Sequence, residues 1–425
     1  MGTIGIDQLK PGMVLAEDLK SPQGRLLLHK GSEVTEAGLR TCRIWGIAEA
    51  EVEGVEDASA TPDLDAAPED LREACEAVVD ARFAYTDPEH PAVAELKRLA
   101  LRDCVLRHME GGGAPEPFTP PRPDARAHLE DISRASDLSA PDVLGREVRL
   151  ASLPDIFVRI VEAIKHPASS ASYVADVIGK DAALSAKLLN LVNSAFYGFP
   201  RRIDTLARAV TIIGSNHLTN LAMGVSVLSM FEDIPPEHLD MRSFWEHSLG
   251  CGLVARQIAS HLPGNHNEER YFVAGLLHDI GRLVLVRNLA RLYGHMLLAA
   301  RSRRLVLADV ELQGLGFRHD RVSGLLCREW RLPETLEKAV MRHHNPGAGR
   351  EGPEPCVIHL ADILAHAMPI GHGGNEFVPP LDEDAWESLG LSQHQLGPIL
   401  LAAGHQLDDT MRIFFGGVGR AEGRA

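Results

Sequence analysis

The chain has 425 residues, more than one ordinary core uses, so two or three units are expected at about 150 residues each. Hydrophobic residues make up 45%, enough for those units to be globular. The formal net charge of -16 argues against a broad nucleic-acid surface, because phosphate binding needs clustered Lys and Arg.

The N-terminus, MGTIGIDQLKPGM, lacks a basic stretch followed by an apolar run, so it does not read as a signal peptide. Ile6 breaks the myristoylation pattern. No run of about 18 uncharged apolar residues occurs, so no membrane span is expected and the chain reads as soluble and cytoplasmic. Met13–Ala16 and Arg25–Leu28 are β-like runs, and the turn Ser21-Pro22-Gln23-Gly24 between them predicts a hairpin. Thr35 caps a helix through Leu39, Cys42 and Trp45, and Ala48–Val52 returns as a strand. Residues 1–55 are therefore expected to form a small α+β module with a docking or sensory role.

Residues 56–145 read as an acidic, Pro- and Gly-rich linker carrying two amphipathic helices, about Glu69–Phe83 and Pro91–Met109. Extended chain is expected at Gly111–Pro117 and Pro120–Pro123, with the main boundary near Pro141–Val148. From residue 146 to 370 the helical period takes over and strand signals nearly vanish, which predicts an all-α bundle of at least ten helices. Glu268–Leu285 reads as one helix within it. Residues 371–425 add two helices, within LDEDAWESLG and LSQHQLGPILLAAGHQLDDTMRIFF, expected to pack on the bundle or to mediate dimerisation. The six cysteines form no CxxC pair, and reduced, buried thiols are the expectation. The basic run Arg301-Ser302-Arg303-Arg304 reads as a solvated helix face.

The stretch GLLHDIGRLVL, residues 275–285, places His278-Asp279 inside an apolar helix pattern. Buried charge is costly unless paired or ligated. His247, His319, His343, His344 and Asp362 also fall on or beside predicted helices. Imidazole nitrogen and carboxylate oxygen suit borderline divalent metals, and helices facing one axis can gather such groups from distant positions. Asp279 has two oxygens and could bridge two ions about 3.5 to 4 Å apart. The bland alternative is that His343-His344 serves a helix C-terminus and that Asp362 is an ordinary polar residue.

His247 in FWEHSLGCG, then His278-Asp279, then Asp362, resembles the HD metal-dependent phosphohydrolase superfamily. Leu153-Pro154, Lys180–Leu184, the run Asn193-Ser194-Ala195-Phe196-Tyr197-Gly198 and the run Ala209–Gly214 resemble its HDOD branch, the HD-related output domain. The likeness covers roughly Val148 to Asp362, and DQLKPGMVLAEDL is similar to a module found ahead of some such domains. It implies a mainly α, HD-type bundle in which His247, His278, Asp279 and Asp362 hold one metal. By likeness to the HD-GYP branch, His319, His343 and His344 would hold a second. HDOD domains are often described as having lost parts of this set, whereas this chain keeps all of it.

Two departures bear on activity. Arg282 stands where the HD-GYP pattern carries Lys, and its planar fork meets phosphate differently. The GYP motif is missing, since His343-His344 runs into NPGAGREGPEP. The resemblance therefore implies a signal-transduction output protein that binds a signalling partner or a nucleotide ligand, with one or two iron, manganese or zinc ions. The alternative is a metal-dependent phosphohydrolase acting on a nucleotide or cyclic dinucleotide, with Asp279 and Arg282 as catalytic residues.

Overall fold

The computed structural model describes residues 2–6, 9–20, 26–44, 47, 49–54, 67–111, 113–116, 118, 138–145, 155–165, 171–194, 197, 199, 201–231, 234, 239–264, 268–347, 352–368 and 370–416. The turn at 21–24, Trp45, Pro120–Pro123, Leu153-Pro154 and part of the 193–198 run lie outside them.

The N-terminal module holds β1 (Gly2–Gly5), β2 (Leu19–Lys20), β3 (Leu26–Leu28), α1 (Glu36–Ile44) and β4 (Glu49–Val52). β1 pairs antiparallel with β4 in the register Gly2↔Val52, so the returning strand forms as expected. The expected hairpin has a different first arm. β3 pairs with β2, while Val14 and Leu15 make only isolated bridges, to Glu33 and Val52. The backbone of Met13–Ala16 divides its hydrogen bonds between two partners: Leu15 N–H donates to Ser32 and Ala16 N–H to Glu51. Thr35 caps α1 by accepting the Gly38 N–H at 3.0 Å. Ile4, Leu15, Val34, Cys42 and Val52 form this module's own small core.

The remaining described residues are mainly helical: α2 (Glu69–Arg82), α3 (Pro91–Gly111), α4 (Ala140–Gly145), α5 (Asp155–Lys165), α6 (Ala171–Gly179), α7 (Ala182–Val192), α8 (Leu206–Ile213) and α9 (Ser215–Leu228) come first. Then follow α10 (Met241–Ser260), α11 (Glu269–Leu277), α12 (Ile280–Asn288), α13 (Ala290–Arg303), α14 (Leu307–Leu315), α15 (His319–Glu329), α16 (Glu334–Met341), α17 (Glu354–Ala367), α18 (Glu383–Leu389) and α19 (Leu396–Phe415). Asp181 and Thr205 start α7 and α8 by accepting backbone N–H groups at 2.9 and 3.2 Å. One apolar core runs from Cys75 in α2 to Phe414 in α19, so the α2–α3 hairpin and the C-terminal helices share it with the bundle. None of the described helices is long and apolar enough to cross a membrane.

Two helices sit at the centre. α17 is buried along its whole length, and α10 is buried on almost every face from Phe244 to Ala259. A helix enclosed on all sides can carry polar residues only where partners await them. α10 and α11 cross at two glycines: a Cβ on Gly275 would lie 2.6 Å from the Gly252 Cα. This close approach brings the end of α11 against the segment of α10 that carries His247.

The helix expected over Glu268–Leu285 is two helices, α11 and α12, broken at His278-Asp279. Asp279 leaves helical geometry, with φ -96° and ψ 4°. α15 packs directly against the break. A Cβ on Gly281 would collide with the His319 carbonyl, so α12 starts in direct backbone contact with α15. Ser323 of α15 satisfies the freed groups, donating to the His278 carbonyl at 2.7 Å and accepting the Gly281 N–H at 2.8 Å.

Candidate metal centre

All seven histidine and aspartate residues singled out from the sequence meet around the α11–α12 break. Asp279 Oδ1 lies 2.8 Å from His319 Nε2, 3.4 Å from His278 Nε2 and 3.9 Å from His343 Nε2. Asp362 Oδ1 lies 3.1 Å from His247 Nε2 and 3.6 Å from His278 Nε2. His344 Nε2 is 3.1 Å from His319 Nε2. His247, His278, Asp279, His319 and His343 are each 0% exposed.

The local fold explains the convergence. Successive residues of an unbroken helix do not face the same way. With the chain leaving helical geometry at Asp279, the His278 imidazole and the Asp279 carboxylate reach the same point. His343 and His344 follow the last turn of α16 instead of lying on it, and the turn aims both rings inward, their centroids 4.1 Å apart.

The rings are held from behind. His278 Nδ1 lies 2.6 Å from the Gly275 carbonyl and His343 Nδ1 2.7 Å from the Val340 carbonyl. A carbonyl only accepts, so each Nδ1 carries a proton and each Nε2 faces the centre. His319 Nδ1 meets Glu311 Oε2 at 2.6 Å, and Glu311 Oε1 accepts the Tyr293 hydroxyl at 2.5 Å. Metal-ligating imidazoles are oriented in this way, by a carbonyl or carboxylate behind the ring.

His278 Nε2, His343 Nε2 and Asp279 Oδ1 make no hydrogen bond despite their close neighbours, while Asp279 Oδ2 faces the Arg282 guanidinium. Buried lone pairs crowded together without hydrogen bonding fit a divalent cation as their common partner. Overlapping groups of three ligand atoms, each within 4.8 Å of one another, run from His247, Asp362 and His366 at one end to His319, His343 and His344 at the other.

The electrostatics agree. Burial opposes ionisation of Asp279, but Arg282, His278 and His319 hold its carboxyl well below the usual range. Asp362 is likewise held low against burial, by His366 and His247. Burial and neighbouring cationic imidazoles push His343 and His344 well down, and burial with the His366 charge lowers His247 to about 4. His278 and His319 move up: burial opposes, but the carboxylates of Asp279 beside His278 and of Glu311 and Asp279 beside His319 prevail. Two ionised carboxylates thus draw positive charge into a dry centre, the charge a metal ion would supply.

Arg282 points inside as well. It is 2% exposed, and its Nη1 lies 2.8 Å from Asp279 Oδ2 and donates to the Gly373 carbonyl at 3.0 Å. The sequence reading missed His366, whose Nδ1 lies 2.9 Å from Asp362 Oδ1, although the four-residue spacing on α17 places both on one helix face. It also missed Glu311 and Tyr293, which reach the cluster through other side chains, and Ser323, which holds the backbone at the break; none carries a spacing signal.

Comparison with known proteins agrees with this architecture. Residues 150–346 match the family model of the HDOD domain. A protein of Treponema pallidum (strain Nichols), named only as uncharacterized, is 26% identical over 63% of this chain; the chain spans half the length of that relative. A crystal structure from Shewanella amazonensis SB2B, provisionally named a phosphohydrolase, has a TM-score of 0.53 and 19% identity, covering 65% of this chain and 99% of that one. Another from Marinobacter aquaeolei VT8, provisionally named a signal transduction protein, has a TM-score of 0.51 and 20% identity, covering 74% of this chain and 72% of that one. These structural likenesses carry the fold. The family match ends before Asp362 and His366, which α17 supplies. The chain therefore carries an HDOD domain over residues 150–346.

Proposed function

We propose that this chain is a signal-transduction output protein whose HDOD domain carries a divalent-metal centre of iron, manganese or zinc and binds a signalling partner or a nucleotide ligand. His247, His278, Asp279 and Asp362 hold one ion in this reading. His319, His343 and His344 would hold a second ion, with the Asp279 carboxylate beside them. Residues 1–55 serve as the docking or sensory module, 56–145 as the connecting segment, 146–370 as the output domain and 371–425 as a helical extension.

The observation that carries the regulatory reading is the engagement of Arg282. Its guanidinium is buried and occupied by Asp279 and the Gly373 carbonyl, so it is not presented to a phosphate. The fully buried imidazoles around it argue in the same direction. The centre then fixes the arrangement of α10, α11, α12, α15 and α17, and a ligand or partner reads that arrangement.

A second reading is a metal-dependent phosphohydrolase acting on a nucleotide or cyclic dinucleotide. It is favoured by the position of Asp279 between the His247/His278 and His319/His343 sides of the cluster. When bound, metal ions there would supply Lewis acidity. In that reading Asp279 positions the ions and Arg282 leaves Gly373 to meet the phosphate charge. The two named structural neighbours divide between the readings, one provisionally named for each.

The test is metal content of protein purified anaerobically without chelator, beside His278→Ala, followed by a screen of phosphodiesters. Bound metal that is lost in the variant, with no turnover, supports the output reading. Turnover abolished in the same variant supports the hydrolase. No metal in either protein sinks both metal readings.

A further inference from the structure

Outside the candidate centre, the α2–α3 hairpin holds a second group of reactive side chains. Cys75 on α2 and Cys104 on α3, 29 residues apart, bring their Sγ atoms to 2.9 Å. They are 0% and 5% exposed. His108, one turn beyond Cys104, places Nδ1 at 3.9 Å from Cys104 Sγ. All six cysteines are free thiols, and only this pair is close enough for the two sulfurs to meet among the contacts of the described residues.

Two chemistries compete for such a group. A metal would need a lone pair on His108, but its Nδ1 lies 2.8 Å from the Cys104 carbonyl. A carbonyl only accepts, so that nitrogen carries its proton and is withdrawn as a ligand. Sulfurs each about 2.3 Å from a tetrahedral zinc would also sit roughly 3.8 Å apart, well beyond the separation here. A disulfide needs about 2.05 Å, which asks the two sulfurs to close by about 0.9 Å from 2.9 Å.

We propose that Cys75 and Cys104 are a redox pair, converted to a disulfide by a hydroperoxide. Cys104 is the attacking sulfur, because it is the less enclosed of the two. Its thiolate attacks one peroxide oxygen, the O–O bond breaks, and the other oxygen leaves as water or an alcohol. Cys104 is then a sulfenic acid. Cys75 gives up its proton and attacks that sulfur; the S–O bond breaks and the departing hydroxide takes the proton as water. The two thiols lose two electrons and two protons in total, and the peroxide takes up both.

The bond would join α2 to α3 within the main core. Arg82, the last residue of α2, donates to the His366 carbonyl on α17, so the hairpin is in contact with the helix that bears Asp362. The inference does not depend on a metal being bound there.

The experiment uses the full native chain. Reduced protein is exposed to limiting hydrogen peroxide, unfolded in alkylating reagent and mapped by peptide mass spectrometry. The expected product is a Cys75–Cys104 linked peptide, two hydrogens lighter than its thiol form and cleaved by dithiothreitol. Cys42, Cys251, Cys327 and Cys356 should be recovered alkylated. In Cys75→Ser, dimedone should trap a sulfenic acid on Cys104. Recovery of both thiols unlinked would overturn the proposal. So would stoichiometric zinc held by these residues, lost in Cys104→Ser and protecting Cys75 from alkylation in the native protein.

Discussion

Ser323 Oγ sits between the two ends of a broken helix, donating to the His278 carbonyl at 2.7 Å and accepting the Gly281 N–H at 2.8 Å. One hydroxyl on α15 thereby satisfies both backbone groups that the break would strand in the core. The break in turn lets two successive side chains enter one centre. Ser323→Ala leaves a buried acceptor and a buried donor without their partner, at about 1–3 kcal/mol each. The expected loss is at least about 2 kcal/mol in urea unfolding, with weaker metal retention. Unchanged stability would mean that the break holds itself without α15.

Glu311 lies behind His319, accepting its backbone N–H at 2.9 Å and facing its Nδ1 at 2.6 Å. Glu311→Gln keeps the shape but removes the charge that fixes the ring. Metal affinity should fall about 10–100-fold, as for other residues that orient a ligand from behind. Competition against a chelator of known affinity measures it, and wild-type affinity in the variant would remove Glu311 from the centre's support.

The glycines of the bundle separate into two kinds. At Gly275 an added Cβ meets the α10 backbone, whereas at Gly294 on α13 it meets nothing within 4 Å. Gly275→Ala should therefore cost about 1–3 kcal/mol through overpacking. Gly294→Ala should be neutral or stabilise by about 0.5–1 kcal/mol, because it removes the entropy of a mid-helix glycine. Denaturant midpoints of the two variants should move in opposite directions or differ by the full overpacking cost.

His359 gives an acid-sensitive contact. Its Nδ1 lies 2.7 Å from the His343 carbonyl, and its Nε2 accepts the Asp382 N–H at 3.0 Å. Burial holds its pKa below the ordinary 6.5. The unfolded chain thus takes the proton first as pH falls. The contribution to stability is complete above about pH 6.5 and is lost as pH drops below that toward the folded pKa, at a limit of about 1.4 kcal/mol per pH unit for one proton. His359→Gln, measured with chelator present, should be less stable at pH 7.5 and should show a shallower decline between pH 6.5 and 5. An unchanged slope would assign the acid sensitivity to other groups.

The order of residues alone was enough to single out side chains that converge. Histidine and aspartate placed in apolar helical patterns are too costly to bury without a purpose, and His247, His278, Asp279, His319, His343, His344 and Asp362 do converge. The cap Thr35 was legible because a side chain three residues from its N–H acts locally. What the pattern could not express was non-local. The apolar run Gly275–Leu285 reads as one helix, since periodicity contains no term for the approach of α15. Met13–Ala16 reads as a hairpin arm, since alternation does not say which strand will pair. The support of His319 by Glu311, the capture of Arg282 by Gly373 and the addition of His366 to Asp362 depend on which helices pack together. The sequence by itself determined which groups would need a partner in the dry interior. Only the tertiary structure decided which partner each one met, because contact between distant helices is set by packing and leaves no period along the chain.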